Sequence, residues 1–199
     1  MAKGAAETRG AKRASAPHAD LRMAEDALDR IRTSTGSIRA STVRSLSAMY
    51  AHGDELLRYR VVAGVIAGRV TACGRFLEQI LREEPSALIR HEAAFGLASF
   101  SRRKSIPLLI ASTRNDPSDL VRHESAIALS MLAASEAIPY LEAGARDRSQ
   151  IVALSCRLAI SVIRYKLRKS GAPIRKLGPE ARAKVRAFAR ELLIPRSNA

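Results

Sequence analysis

The sequence predicts an all-α solenoid, a fold in which short helical hairpins stack side by side. A nine-residue segment recurs four times without gaps, and its copies begin at residues 56, 88, 120 and 151. Between copies, Ile106-Pro107 and Ile138-Pro139 each open an apolar stretch, and proline suits the first turn of a helix. No segment shows the apolar–polar alternation, rich in β-branched residues, that is typical of strands. Each repeat therefore predicts a first helix, a turn, a second helix and another turn.

The aligned segments 56–64, 88–96, 120–128 and 151–159 are the predicted starts of the second helices. Their apolar residues recur at the i, i+3 and i+4 spacing of a helix with one buried side. In the second unit this pattern predicts a buried stripe of Leu88, Ile89, Ala93, Leu97 and Phe100. Such units cannot bury their apolar sides alone, so stacking would create one continuous core.

The predicted organisation has three parts. Residues 1–18 are expected to form a disordered basic tail, and residues 168–199 a linker followed by a basic capping helix over 179–193. The repeat domain spans 19–167. It begins with a helix over 19–32 and continues through four units near 41–70, 71–102, 103–134 and 135–167.

Most of the net charge of +15 lies outside the repeats. Residues 1–18 contribute +3, residues 164–199 contribute +9, and 19–163 carry only +3. Such an excess predicts an anionic contact, and basic flanks add chiefly non-specific attraction. Aromatic residues make up 4% of the chain and Trp is absent, which disfavours recognition by base stacking.

Several features bound the location of the protein. The longest apolar run is too short to cross a bilayer, so we expect no membrane partner. Residues 1–18 lack the apolar core of a secretory signal, and Cys73 and Cys156 form no disulfide framework. The sequence therefore predicts a cytoplasmic protein.

Two units carry the same His-Glu pair at the same place, in Arg90-His91-Glu92 and Arg122-His123-Glu124. Equivalent positions of a solenoid lie side by side, and His with Glu suits iron, manganese or zinc. A structural interpretation stays open beside this one. Glutamate is favoured in the first turn of a helix, the preceding arginines can be solvated, and duplication of a repeat copies a pair without any function.

The four units together resemble one half of deoxyhypusine hydroxylase. The resemblance rests on the sequences 88–97 and 119–129, on the Arg-rich 57–60, and on the Cys-containing 155–159, and it covers roughly residues 41–165. It implies a HEAT-like repeat protein of the PBS-lyase type with a di-iron centre, which uses O₂ to hydroxylate a modified lysine of a translation factor. His91, His123 and Glu124 would be iron ligands, and Glu92 would orient the substrate as the catalytic residue.

Members of that family carry four His-Glu motifs, whereas this chain has two. A homodimer would restore four motifs around a two-fold axis, so the sequence predicts a homodimeric, di-iron, O₂-dependent monooxygenase, an oxidoreductase. Two other functions stay open. One is a non-catalytic HEAT-repeat scaffold that binds a protein on its concave face, and the other is weak nucleic-acid binding through the basic tails.

Overall fold

The computed structural model describes residues 40–192 together with Arg22, Asp26 and Asp29. These three residues are helical, as the predicted helix over 19–32 requires. The predicted disordered tail, 1–18, lies outside the described residues, and so does the last residue of the predicted terminal helix.

The described part of the chain is helical and contains no β-strand, which confirms the all-α solenoid of two-helix repeats. Four helical hairpins are followed by one further helix. The nine helices within 40–192 are α1 (Ala40–His52), α2 (Glu55–Ala67), α3 (Gly74–Glu83), α4 (Ala87–Ser99), α5 (Ile106–Asn115), α6 (Asp119–Met131), α7 (Ile138–Gly144), α8 (Gln150–Ser170) and α9 (Pro179–Leu192). None of them combines the length and hydrophobicity that a membrane span needs.

The hairpins stack into two layers. The second helices form one layer, in which α4 packs between α2 and α6, and α6 packs between α4 and α8. Within the last three units, each second helix also packs on the first helix of its own hairpin. The core between the layers is a single cluster that runs through all four units, and its fully buried side chains include Leu77, Leu97, Leu109, Leu129, Leu141 and Ile163.

The turn between consecutive units has the same form three times. Arg69, Ser101 and Ala133 follow α2, α4 and α6 with φ near +50°, a conformation that non-glycine residues adopt rarely. A short 3₁₀ turn follows each of them, and in the third and fourth units proline then occupies the first turn of α5 or α7. Because these residues are 32 positions apart, the repeat in the sequence is also a repeat of backbone geometry.

A ladder of buried ion pairs ties each unit to the next. An arginine at the third aligned position reaches forward and donates from Nε and Nη2, which form one edge of its guanidinium, in the pairs Arg58–Glu84, Arg90–Asp116 and Arg122–Asp147. The nearest N–O distances are 3.1, 2.8 and 2.9 Å. The arginines that precede the two His-Glu pairs are therefore buried structural groups and are not solvated.

The seventh aligned position of the repeat changes from an apolar residue to arginine in α8, the last second helix of the stack. At the seventh aligned position, Val62, Ala94 and Ala126 allow the neighbouring second helix to approach closely. In α8 this position is Arg157, which is exposed and donates to the Ala145 carbonyl at 3.0 Å. A charged residue there favours solvent over a fifth unit, and terminal repeats of solenoids need such a polar outer side.

Helix α9 turns back along the side of the stack. It packs mainly against α5 and also against α3, in the layer of first helices, and it buries Val185 and Leu192 there. The sequence predicts a helix that caps the stack, and the structure places this helix against the side of the second and third units.

Candidate functional site

The His-Glu pairs lie at the start of α4 and α6. His91 and His123 occupy the fourth aligned position of their units, and Glu92 and Glu124 occupy the fifth. Successive helical residues point about 100° apart. The histidine and the glutamate of each pair therefore point in different directions, and Glu124 of α6 points toward the preceding second helix, α4.

One predicted metal ligand contacts another across the interface between two units. His91 Nε2 of α4 is 3.3 Å from Glu124 Oε2 of α6. Glu124 is only 7% exposed, and its other carboxylate oxygen, Oε1, is buried with no hydrogen-bond partner among the described residues. The structure thus brings His91 and Glu124 together and leaves one oxygen of the carboxylate able to accept a further ligand or proton donor.

The third predicted ligand, His123, reaches the opposite flank of α6. Its Nδ1 is 2.6 Å from Ser155 Oγ of α8. The Ser155 hydroxyl is also 2.7 Å from the Ile151 carbonyl, to which it can donate its proton. In that arrangement Nδ1 of His123 would donate to Ser155, and Nε2 would be the ring nitrogen able to bind a ligand. Metal-ligating histidines are commonly oriented by such a hydrogen bond from the other ring nitrogen.

These two contacts follow one rule, in which the fourth position of a unit meets the fifth position of the next. Ser155 is the residue at the fifth position in the last unit. His123 consequently meets a hydroxyl where His91 meets a carboxylate. The exchange of glutamate for serine in the fourth unit therefore separates His123 from the other predicted ligands.

Glu92, the predicted catalytic residue, lies beside His91. Its Oε1 is 3.5 Å from His91 Nδ1, and both side chains are 23% exposed. Nδ1 itself is buried and forms no hydrogen bond within the described chain. Glu92 is close enough to influence the charge of His91, and the remaining exposure leaves it accessible from solvent.

The donor set of the described residues does not make a metal centre. Among them, no group of three or more His, Cys, Asp and Glu side chains has an arrangement that could hold a metal ion. His91, Glu92 and Glu124 are neighbours, but His123 points to α8. A di-iron site of the kind that the resemblance implies would need ligands in addition to these described residues.

The hydrogen bond with Glu124 raises the pKa of His91 above its ordinary value of 6.5, against the opposing effect of burial. A raised pKa means that the folded protein binds the proton more tightly than the unfolded chain. This contribution to stability is complete below pH 6.5 and is lost as the pH rises through the raised pKa.

We therefore expect His91→Gln to destabilise the protein more at pH 6 than at pH 9. The free energy of unfolding in urea, measured at both pH values for the wild type and the variant, tests this. His52→Gln, at an exposed position of α1, is the matched control for loss of a histidine. A destabilisation by His91→Gln that is equal at both pH values would contradict the coupling between His91 and Glu124.

An apolar surface surrounds the two histidines. We call it the second-helix face and define it by aligned positions one, four and eight, which lie on one side of a helix. Its members are Leu56, Tyr59 and Ala63 of α2, Leu88, His91 and Phe95 of α4, Leu120, His123 and Ile127 of α6, and Ile151, Leu154 and Leu158 of α8.

The first aligned position forms the most regular row of this face. Its side chains are 52%, 48%, 39% and 51% exposed, for Leu56, Leu88, Leu120 and Ile151 respectively. Of the ten large apolar side chains that are most exposed in the described chain, nine lie on second helices. Exposed apolar surface on this scale marks an interaction site.

This exposed apolar surface is the feature that the sequence interpretation missed. Ile89, Ala93 and Leu97 are buried as predicted, but Leu88 is half exposed, and Phe100 is only partly buried. A signal was present, because four units place a large aliphatic residue directly before a second one. Only the second of these adjacent residues can face the core.

Comparison with known families agrees with this architecture. The family model described as HEAT repeats matches residues 74–161, which run from the start of α3 into α8. The segment from α3 into α8 is therefore similar to HEAT repeats. No curated protein matches the chain. The two His-Glu pairs lie within the matched segment, as do the second-helix face residues of α4, α6 and α8.

Proposed function

We propose that this HEAT-repeat protein is a scaffold that binds an amphipathic, acidic helix of a partner protein on its second-helix face. The observation that supports the proposal is the row of half-exposed aliphatic side chains at the first aligned position in all four units. A helix laid into a groove between helices is a common mode of recognition, and apolar anchors at i, i+3, i+4 and i+7 carry it.

The size of the apolar surface favours a macromolecular partner. The face extends over four parallel helices, and α8 lengthens it with Tyr165, which is 54% exposed. Scattered single apolar residues on a surface need no explanation, but contiguous ones mark contacts with other molecules. The face therefore has the composition of the core of a protein interface.

The charge at the edge of the face favours an acidic partner. Helix α8 exposes Arg157 beside Leu154 and Leu158. Interfaces pair patches of opposite sign, which steers association and excludes partners of the wrong charge. A partner helix with glutamates flanking its apolar stripe would meet this arginine.

Two synthetic peptides of eighteen residues test the proposal directly. Both carry the same leucine stripe, and they differ only in their flanking residues, which are Glu in one and Lys in the other. We expect the acidic peptide to bind with the higher affinity, measured by fluorescence anisotropy. The double variant Leu88→Glu/Leu120→Glu should lower that affinity by more than about tenfold, since each substitution removes an anchor side chain.

Three outcomes would contradict this function. In the first, neither peptide binds. In the second, the double variant binds the acidic peptide as the wild type does. In the third, the protein sediments as a dimer that the same substitutions dissociate, because the face would then be the contact between two copies. The substituted positions are exposed, so circular dichroism should show an unchanged fold.

The second candidate function is metal binding between two copies of the chain, as in the homodimeric di-iron monooxygenase that the sequence predicts. Two observations favour it, namely the unpaired Glu124 Oε1 and the contact of His123 Nδ1 with Ser155, which would leave Nε2 able to bind a ligand. One chain lacks a complete ligand set among its described residues, so a second copy would have to supply the remaining ligands.

Metal content and mass in solution test this second candidate together. Protein purified from iron-rich medium would contain about one iron per chain and would be a dimer, and Glu124→Ala and His123→Ala would each remove the metal. Leu120→Ala, on the same helix but outside the His-Glu pairs, is the matched control. A metal-free monomer would exclude the dimeric iron centre and would leave the scaffold function unaffected.

A further inference from the structure

The side of the molecule formed by the first helices is cationic, in contrast to the apolar second-helix face. Helix α9 contributes Arg182, Arg186 and Arg190, which are all exposed. None of the three forms an ion pair with a described carboxylate, whereas Lys184 of the same helix pairs with Glu180. Helix α9 therefore presents these three arginine charges in a regular row.

The spacing of this row suits a polymer of phosphates. The three arginines follow each other at i, i+4 and i+8, so they lie on one side of the helix about 6 Å apart along its axis. Duplex DNA presents one phosphate per 3.4 Å of axis on each strand, and because the strand also winds around the axis, neighbouring phosphates are about 7 Å apart in space. The spacing of the row therefore matches that of neighbouring phosphates of one strand.

A second group of cations lies where α9 meets the stack. A pocket of about 230 Å³ is lined by five of them, which are Arg75, Arg82, Arg102, Lys104 and Lys184. The one carboxylate that lines it, Glu78, already accepts hydrogen bonds from Arg102 Nε at 3.0 Å and from Ser105 Oγ at 2.6 Å. Two of the other cations also have carboxylate partners, because Arg82 pairs with Glu191 and Lys184 with Glu180. The excess positive charge of the pocket lies on Arg75 and Lys104, and it favours an anion.

The composition of this surface distinguishes between anionic partners. Val185 and Leu192 of α9 are buried, and Phe188 is partly buried, with the Arg82 guanidinium 5.7 Å from its ring centre. Helices that lie on membranes present large apolar residues together with their basic ones, and α9 exposes none within its described residues. Stacking on single-stranded bases would need exposed aromatic rings, which this surface also lacks.

We propose that the α9 row and the adjacent cationic pocket bind the phosphate backbone of double-stranded nucleic acid. Recognition is by charge and spacing, and it is independent of base sequence. This inference concerns the layer of first helices and does not depend on the function of the second-helix face. It assigns phosphate binding to the positive charges of α9 and of the pocket.

A labelled 20-base-pair DNA duplex tests the proposal with the full-length chain. We expect binding in fluorescence anisotropy with an affinity that falls steeply with KCl concentration. The triple variant Arg182→Gln/Arg186→Gln/Arg190→Gln should weaken binding by more than about tenfold at 100 mM KCl. It should also reduce the slope of log K against log[KCl] by about 2.7, since each lost phosphate contact contributes about 0.9.

The matched control removes the same charge elsewhere. Arg148→Gln/Arg168→Gln/Lys169→Gln lowers the net charge by three at exposed positions around α8, and it should leave the duplex affinity within about twofold of wild type. Equal weakening by both triple variants would overturn the proposal, because net charge alone would then explain binding. Absence of duplex binding would overturn it too, as would binding to phosphatidylserine vesicles in place of the duplex.

Discussion

Replacing Arg90 with alanine is expected to lower the free energy of unfolding by about 3 to 5 kcal/mol. Arg90 and Asp116 have side chains that are 3% and 0% exposed, and Nε and Nη2 of the guanidinium each donate to one oxygen of the carboxylate. The same guanidinium donates to the carbonyls of Glu84 and Pro85, at 2.9 and 2.7 Å. Removing it leaves a buried carboxylate and two carbonyls to be satisfied by water.

The measurement is urea denaturation of the wild type and two variants. The control is Arg164→Ala, whose partner Glu142 is 3.1 Å away but is 54% exposed. An exposed pair of this kind contributes less than about 1 kcal/mol. If the two alanine variants were destabilised equally, the buried ion pair between units would contribute no more to the free energy of unfolding than an exposed pair does.

Leu97→Ala and Leu88→Ala, the same substitution on one helix, are expected to have opposite consequences. Leu97 is fully buried in the core, so its truncation should lower the free energy of unfolding by about 2 to 5 kcal/mol. Leu88, 48% exposed on the same helix α4, should change stability by less than about 0.5 kcal/mol. Its truncation should instead weaken binding of the acidic peptide.

Both effects can be measured on the same two proteins. Thermal or urea unfolding gives the stability, and anisotropy of the labelled peptide gives the affinity. A Leu88→Ala protein that is as unstable as Leu97→Ala would show that the second-helix face belongs to the core. A stable Leu88→Ala protein with unchanged peptide affinity would show that Leu88 is not an anchor.

The architecture could be predicted from the sequence because every unit repeats the same pattern of apolar and turn residues. The aligned segments predict where the second helices begin, and proline predicts the first turns of α5 and α7. The helical spacing also identified Ile89, Ala93 and Leu97 as core. Leu88 was misassigned because neighbouring apolar residues point about 100° apart, and composition alone does not decide which of them faces inward.

The candidate site could be predicted only in part. Equivalent positions in adjacent units do lie side by side, and this placed His91 near Glu124. The contact, however, runs diagonally from the fourth position of one unit to the fifth position of the next. Ser155, which has neither His nor Glu character, therefore determines where His123 points, and no motif search for metal ligands would include it.

The place of α9 could not be derived from its own sequence. Its apolar spacing identifies Val185 and Leu192 as residues that need cover, and they are buried. That spacing does not specify which helices provide the cover. Helix α9 covers the side of the stack at α5 and α3, whereas the apolar second-helix face stays exposed.

In each ion pair of the arginine ladder, the arginine precedes its carboxylate partner in the sequence. Arg58, Arg90 and Arg122 each find their carboxylate in a unit that is synthesised later. During translation, each of the first three units is therefore synthesised before the carboxylate that pairs with its arginine. Ala153 takes this position in the fourth unit, so the fourth unit carries no arginine whose partner is synthesised later.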